Sequence, residues 1–292
     1  MDVLGKWPLS ELVPIVRDAK DRQERVVFVG SGVEELKKPE SRKVLSEMIA
    51  PGVAYWTVRS ERDKSRLIRY GIPGERISVA ADLAWTLEPV AADFGRTLLT
   101  ELGVDISDHL VGVNLTSEQF VVEQEPELFH KLAQFLDAQI ESKNSCILFF
   151  ANEVREEDSY DKAAATKTVA LMRHKQRAVI VPNEYRTPQQ ALSLIDCCDF
   201  VVSMRYHFCL FAALQNVPFI GLLRSDKVAD LCADLDWPYK ASLPALDPKT
   251  LLALANQLEE EGEALQLRLQ VQSTEMRRRA LTNRLALAAL SG

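Results

Sequence analysis

The sequence predicts a doubly wound α/β protein with two parallel sheets, and three observations predict it. Short apolar or β-branched runs alternate with longer amphipathic segments, the rhythm of parallel strands joined by crossover helices. Right-handed crossovers then place helices on both faces of each sheet, giving Rossmann-like layers. At 292 residues the chain exceeds the usual single-domain size, and two moderate cores fit better than one large one.

Taken in order, residues 1–20 read as a helix-like stretch. Strands are expected at 25–29, 53–58, 76–80, 110–115, 146–150, 178–181, 200–204 and 219–223. Helical patterns lie between them at 39–49, 60–70, 91–102, 125–141, 159–173, 187–197, 208–215 and 227–235. A helix ending in Gly103 and a polar link to Asp108 place a domain boundary there. The expected domains are 1–105, shortened relative to a complete Rossmann half, and 106–245. A helical segment occupies 246–292, opened by Asp247 as N-cap and Pro248 at the first helical position. Its apolar face continues past Gly262.

Hydrophobic residues make up 47% and charged residues 26% of the chain, with a net charge of −7 and a pI near 5.3. Nucleic acid is excluded as a partner, because phosphate-backbone affinity comes from clustered lysine and arginine. Cys146, Cys197, Cys198, Cys209 and Cys232 are odd in number, lie mostly in apolar runs and lack metal or redox spacing. They read as reduced core residues, and no metal is expected. The amino terminus lacks a signal-peptide pattern and no run approaches the roughly 20 apolar residues of a membrane span, so a cytoplasmic protein is expected. Arg277, Arg278 and Arg279 form a solvated helix face, or at most a weak contact with a membrane surface.

The chemistry concentrates in one turn. An apolar strand from Asp199 to Met204 ends in Arg205, Tyr206 and His207 before a small apolar helix. Ligands of open α/β sheets bind beyond the carboxyl ends of the strands. Arg205 offers a fork of donors for a carboxylate or phosphate, and His207 trades protons near neutral pH. The structural alternatives are that Arg205 pairs with an acid such as Asp199 and that His207 caps the helix. Ser203 is a strand-end hydrogen-bonding residue and not a nucleophile, since no G-x-S-x-G elbow surrounds it. Lys227, after the next strand, extends the positive pocket or is a solvated first-turn lysine. Gly30-Ser31-Gly32 lacks the third glycine of a dinucleotide fingerprint, and no cofactor is expected. His109, His130 and His174 read as structural.

The run VVSMRYHFCLFAALQNVPFIGL at 201–222, with Asp226-Lys227-Val228, resembles the signature of the polysaccharide pyruvyl transferase family. VRSERDKS at 58–65 with YGIP at 70–73 and VAADLA at 79–84 is similar to a second stretch of it, and VFVGSGV at 27–33 resembles its G-x-G loop, so the likeness spans about 26–238. The resemblance implies a GT-B-like pair of Rossmann domains that transfers pyruvate from phosphoenolpyruvate to sugar hydroxyls of a cell-surface polysaccharide precursor, forming a ketal. The acceptor would be lipid- or nucleotide-linked. Arg205 and His207 then fall on the family's catalytic Arg-x-His pair. Arg59, Arg205, Lys227 and Ser203 become substrate contacts, although Arg59 also reads as a helix-terminal residue paired with Glu61 or Asp63. Departures are the absence of an initial G-x-G-N-x-G-D unit, Asn114-Leu115-Thr116 where the family often has an arginine, and Phe149-Phe150-Ala151-Asn152 in place of a proline-containing turn. The alternatives are a glycosyltransferase using a nucleotide sugar and a shortened, non-catalytic binding subunit.

Overall fold

Parallel strands cannot be joined by tight turns, so each needs a crossover, and this requirement orders the whole chain. The computed structural model describes residues 9–153, 159–244 and 246–291; residues 1–8 of the expected first helix lie outside them. Two units emerge, one made of residues up to Thr86 together with those from Thr274 on, the other of Leu87–Ser273.

The first unit opens with α1 (Leu9–Asp21) and carries three parallel strands in sequence order, β1 (Val26–Ser31), β2 (Val53–Val58) and β3 (Ile77–Val79). The first crossover is α2 (Pro39–Lys43), running on into a π-helical stretch, Val44–Ile49. The second is α3 (Glu61–Arg69), which starts where the Ser60 hydroxyl accepts the Asp63 N–H at 3.1 Å. Ile49, Val53, Trp56, Val58, Leu67 and Ile77 form the core.

The second unit holds β4 (Leu110–Asn114), β5 (Cys146–Phe149), β6 (Ala178–Ile180), β7 (Phe200–Ser203), β8 (Phe219–Leu223) and β9 (Lys240–Ser242). Its helices are α4 (Asp93–Glu101), α5 (Gln119–Gln124), α6 (Leu128–Lys143), α7 (Tyr160–Leu171), α8 (Pro188–Ile195), α9 (Tyr206–Leu214) and α10 (Asp226–Asp234). All six strands are parallel, in the order β6-β5-β4-β7-β8-β9. Counted within the unit this is 3-2-1-4-5-6, the doubly wound order whose direction reverses between β4 and β7. The edge strand β9 escapes sequence reading because it is short and shows water both Lys240 and Ser242.

The unit boundary differs from the expected one. Gly103, at φ +78°, only terminates α4. That helix packs on α8, the Ser193 hydroxyl accepting from Gly95 N at 3.0 Å and donating to Ala91 O at 2.7 Å. Residues 87–105 therefore belong with the second unit.

Nor is the carboxyl-terminal segment a separate piece. Helix α11 (Pro248–Ala280) begins at Asp247, whose carboxylate accepts the Thr250 N–H at 3.2 Å, and kinks at Gly262. Up to Ser273, whose hydroxyl reaches Ala213 O at 2.8 Å, it belongs to the second unit. The chain then completes the first, where α12 (Arg284–Ser291) packs on β1 and β2. Asn283, 3% exposed, donates to Ala81 O at 2.9 Å and accepts from Thr57 at 2.5 Å. Arg279 donates to Arg59 O and Ala80 O, both at 3.1 Å. The arginine run is thus divided, Arg279 holding strand ends and Arg278 paired with Glu275 at 2.7 Å. Among the described residues no helix is long and apolar enough to cross a membrane.

All five cysteines are free, and Cys197 alone is not fully buried. Burial raises the Cys197 thiol to about 11 and the Cys232 thiol to about 12.

A Cβ on Gly95 would meet Ser193 O at 2.3 Å and Cys197 Sγ at 2.8 Å. Gly95→Ala is expected to destabilise the second unit by about 1–3 kcal/mol through overpacking, read as a lower urea midpoint. An unchanged midpoint would show that α4 and α8 can move apart without cost.

Candidate active site at the sheet switch point

Beyond the carboxyl ends of β4 and β7 the second unit gathers an unusual density of polar side chains. Asn114 and Ser203 end the two strands side by side in register, and both are 0% exposed. Buried polar groups must be bonded to be tolerated, and these are bonded to each other, Ser203 Oγ lying 3.3 Å from Asn114 Oδ1. Asn114 Nδ2 donates to Phe150 O at 2.9 Å and towards Asp161 Oδ2 at 3.3 Å. Ser203 Oγ accepts the Arg205 N–H at 3.0 Å, which shapes the turn into α9.

Asp161, in the first turn of α7, is the centre of the arrangement. It is 1% exposed, accepts the Asn152 N–H at 2.9 Å, and takes Arg205 Nη2 at 2.5 Å and Nε at 3.2 Å on one oxygen. Arg205 Nη1 is 3.6 Å from Glu118, and its Nη2 is 3.6 Å from Glu153 and 3.4 Å from the Thr116 hydroxyl. Burial opposes the charge of Arg205, but hydrogen bonding and attraction from Asp161, then Glu118 and Glu153, outweigh it and raise its pKa. Arg224, one residue past β8, donates to Met204 O at 3.1 Å and pairs with Glu118. Among the described residues, two guanidiniums and three carboxylates thus share the site, leaving one net negative charge.

The residues expected from sequence are placed as follows. Arg205 is the N-cap residue of α9 and pairs with Asp161, whereas Asp199 accepts the Leu110 N–H at 2.6 Å. His207, in the first turn of α9, is exposed, its ring edge-on to Tyr206 at 5.2 Å and 6.5 Å from Phe211. The Ser203 hydroxyl is committed to the turn itself. Lys227 lies half-buried in the first turn of α10. In the first unit, Arg59 binds Asp82 at 2.7 Å and Gly30 O at 2.9 Å.

Next to the turn the second unit has a cavity of about 430 Å³, walled by Phe150, Tyr185, Phe208 and Phe211 with Asn152 and Arg186 at its polar edge. Another, of about 340 Å³, reaches Asp161 and Lys162. Aromatic walls with a few polar groups are the usual make-up of a small-molecule site.

Sequence reasoning missed Asp161, Glu118 and Arg224. Arg224 carried a signal, since it follows a buried strand as Arg205 does. Asp161 carried none, because an acid in the first turn of a helix is ordinary. Removing one member of a buried ion pair strands the other, at about 3–5 kcal/mol. Asp161→Ala is therefore expected to lower stability by that order in denaturant unfolding, and adding Arg205→Ala to recover part of it. Equal losses from the single and the double variant would show that the pair is not coupled.

The sequence profile described as Polysaccharide pyruvyl transferase matches residues 3–226. A comparison with curated proteins returned no match. Among solved structures, the chain is similar to Anabaena Alr3699/HepE in complex with UDP and glucose, with a TM-score of 0.65 and 14% identity over 96% of this chain and 75% of that one. It is also similar to UDP-GlcNAc 2-epimerase from Methanocaldococcus jannaschii, with a TM-score of 0.59 and 13% identity over 84% of this chain and 66% of that one. A glycosyltransferase from Rickettsia africae ESF-5 gives a TM-score of 0.57 and 11% identity over 97% and 79%. The chain thus spans from 66% to 79% of the length of these proteins. At these identities the likeness shows the fold, a GT-B-like pair of Rossmann-like units. The profile match covers most of the chain and includes the Arg205-Tyr206-His207 turn, and the protein belongs to the polysaccharide pyruvyl transferase family.

Proposed function

We propose that the protein transfers pyruvate from phosphoenolpyruvate to two hydroxyls of a saccharide in a cell-surface polysaccharide precursor, forming a ketal. The observation that carries this reading is the Arg205-Tyr206-His207 turn, which resembles the family's Arg-x-His pair and lies at the switch point of a doubly wound sheet beside an aromatic-walled cavity. The five free cysteines support a reducing, cytoplasmic setting.

In this reading His207, exposed at the mouth of the turn, delivers a proton to the methylene carbon of the donor. Positive charge develops at the central carbon, and a saccharide hydroxyl bonds there. The bond from that carbon to the phosphate oxygen breaks, the electron pair leaving with phosphate, and a second hydroxyl closes the ketal. Of the two hydroxyl protons, one restores His207 and the other leaves on phosphate, so the step balances without a cofactor. Arg205, held by Asp161, contributes a fixed charge close to the donor's anionic groups rather than a mobile grip. The cavity beside Phe208 and Phe211 takes the acceptor ring. Arg59 enters as a donor contact through the family resemblance, Lys227 through its place just after β8, and Ser203 as a residue that shapes the turn.

Phosphate release dependent on phosphoenolpyruvate and a saccharide acceptor tests the reading. His207→Ala is expected to lower it by about a hundred- to ten-thousand-fold, the usual value of a positioned proton donor, with the fold intact by circular dichroism. Undiminished turnover in that variant would remove His207 from the chemistry. A nucleotide-sugar transferase is the competing reading, since HepE was solved with UDP-glucose. Calorimetric binding of UDP-glucose in place of phosphoenolpyruvate would favour it.

A further inference from the structure

The two guanidiniums at the switch point are partnered unequally. Arg205 has Asp161 through two nitrogens, and its Nη1 lies 3.6 Å from Glu118 Oε2, an ion pair too long for a hydrogen bond. Arg224 Nη1 is hydrogen-bonded to that same Glu118 oxygen. One carboxylate oxygen thus bridges two arginines that arrive from the ends of neighbouring strands. Burial, opposed by Glu118 and reinforced by Arg205, keeps the Arg224 pKa below the ordinary arginine value. Glu118 itself is not built into the sheet. It precedes the six-residue α5, makes no side-chain cap to it, and its side chain is 17% exposed. The same arginine latches α5, lying 5.5 Å from the Phe120 ring centre and accepting Gln124 Nε2 on its carbonyl at 3.3 Å.

We infer that Glu118 occupies the seat of a substrate carboxylate between Arg205 and Arg224, and that the ligand displaces it on binding. This rests on the donor reading above and deepens it, adding Arg224 as a binding residue and assigning the seat to the carboxylate of the donor. Charge selects the carboxylate. Exchanging Glu118 for another singly charged group leaves the total unchanged, whereas a phosphate dianion would add negative charge next to Asp161 and Glu153.

Calorimetric titration with pyruvate and with inorganic phosphate tests the inference on the wild type, Glu118→Gln and Arg224→Lys. With the internal competitor neutralised, Glu118→Gln is expected to bind pyruvate about tenfold tighter, the scale of one hydrogen bond to a charged group. Phosphate should gain less than pyruvate. Arg224→Lys keeps the charge but loses the fork, and pyruvate should bind about tenfold more weakly. In the wild type, saturating pyruvate should speed amide exchange across residues 119–124 as the Glu118 latch is released, a readout that needs no variant to fold. Unchanged or weaker pyruvate binding in a folded Glu118→Gln, a larger gain for phosphate, or unchanged or slower exchange in residues 119–124 would each overturn the inference. If pyruvate binding tightens as expected while no phosphoenolpyruvate turnover exists, the seat stands and the transfer reading falls. Turnover with no response to Glu118→Gln has the opposite meaning.

Discussion

A carboxylate that is 1% exposed must be fully bonded, and Asp161 meets that demand by collecting the ends of three strands around itself. It holds the backbone beyond β5 through Asn152, the end of β4 through Asn114, and the turn after β7 through Arg205. Asn114 is fully buried and the Arg205 side chain is only 14% exposed, so losing Asp161 leaves both short of a partner. The network therefore behaves as a unit, which is how a turn at the end of a strand acquires a fixed conformation. The guanidinium of Arg205 is ordered by that pairing.

Such fixing changes what kind of site this is. An arginine free in a cleft grips an anion by paying the ordering of its own side chain, while one already ordered offers a preorganised field. The surrounding acids make that field selective. With one net negative charge among its described residues, the site disfavours the accumulation of further negative charge.

The first unit depends on a different closure. Three short strands do not make a stable layer by themselves, and here the chain comes back more than 190 residues later to complete it. Asn283 fills a buried polar position between Thr57 and Ala81, and Arg279 satisfies the carbonyls of Arg59 and Ala80 at the strand ends. Three charged residues that look like a solvated helix face in sequence are thus divided by function. A 3.6-residue period turns successive side chains about 100° apart, so one of three neighbours can face inward.

Most strands were legible because burial on both faces demands unbroken apolar runs, and that demand is local. Val53–Val58 and Phe219–Leu223 coincide with their sequence reading to the residue. The polar edge strand at Lys240–Ser242 was not legible, for the same reason. The Arg205-Tyr206-His207 turn was legible because the end of a buried strand is a special place in any doubly wound sheet. What the sequence could not supply was pairing across distance. Asp161 stands 44 residues from Arg205, Glu118 106 from Arg224 and Asp82 23 from Arg59. Apolar periodicity by itself determined most of the strands and crossover helices and the place of the Arg205-Tyr206-His207 turn at a strand end. Which acid meets which arginine, and where the chain changes unit, was decided only by tertiary packing, because electrostatic partners are chosen by proximity in space and leave no periodic trace along the chain.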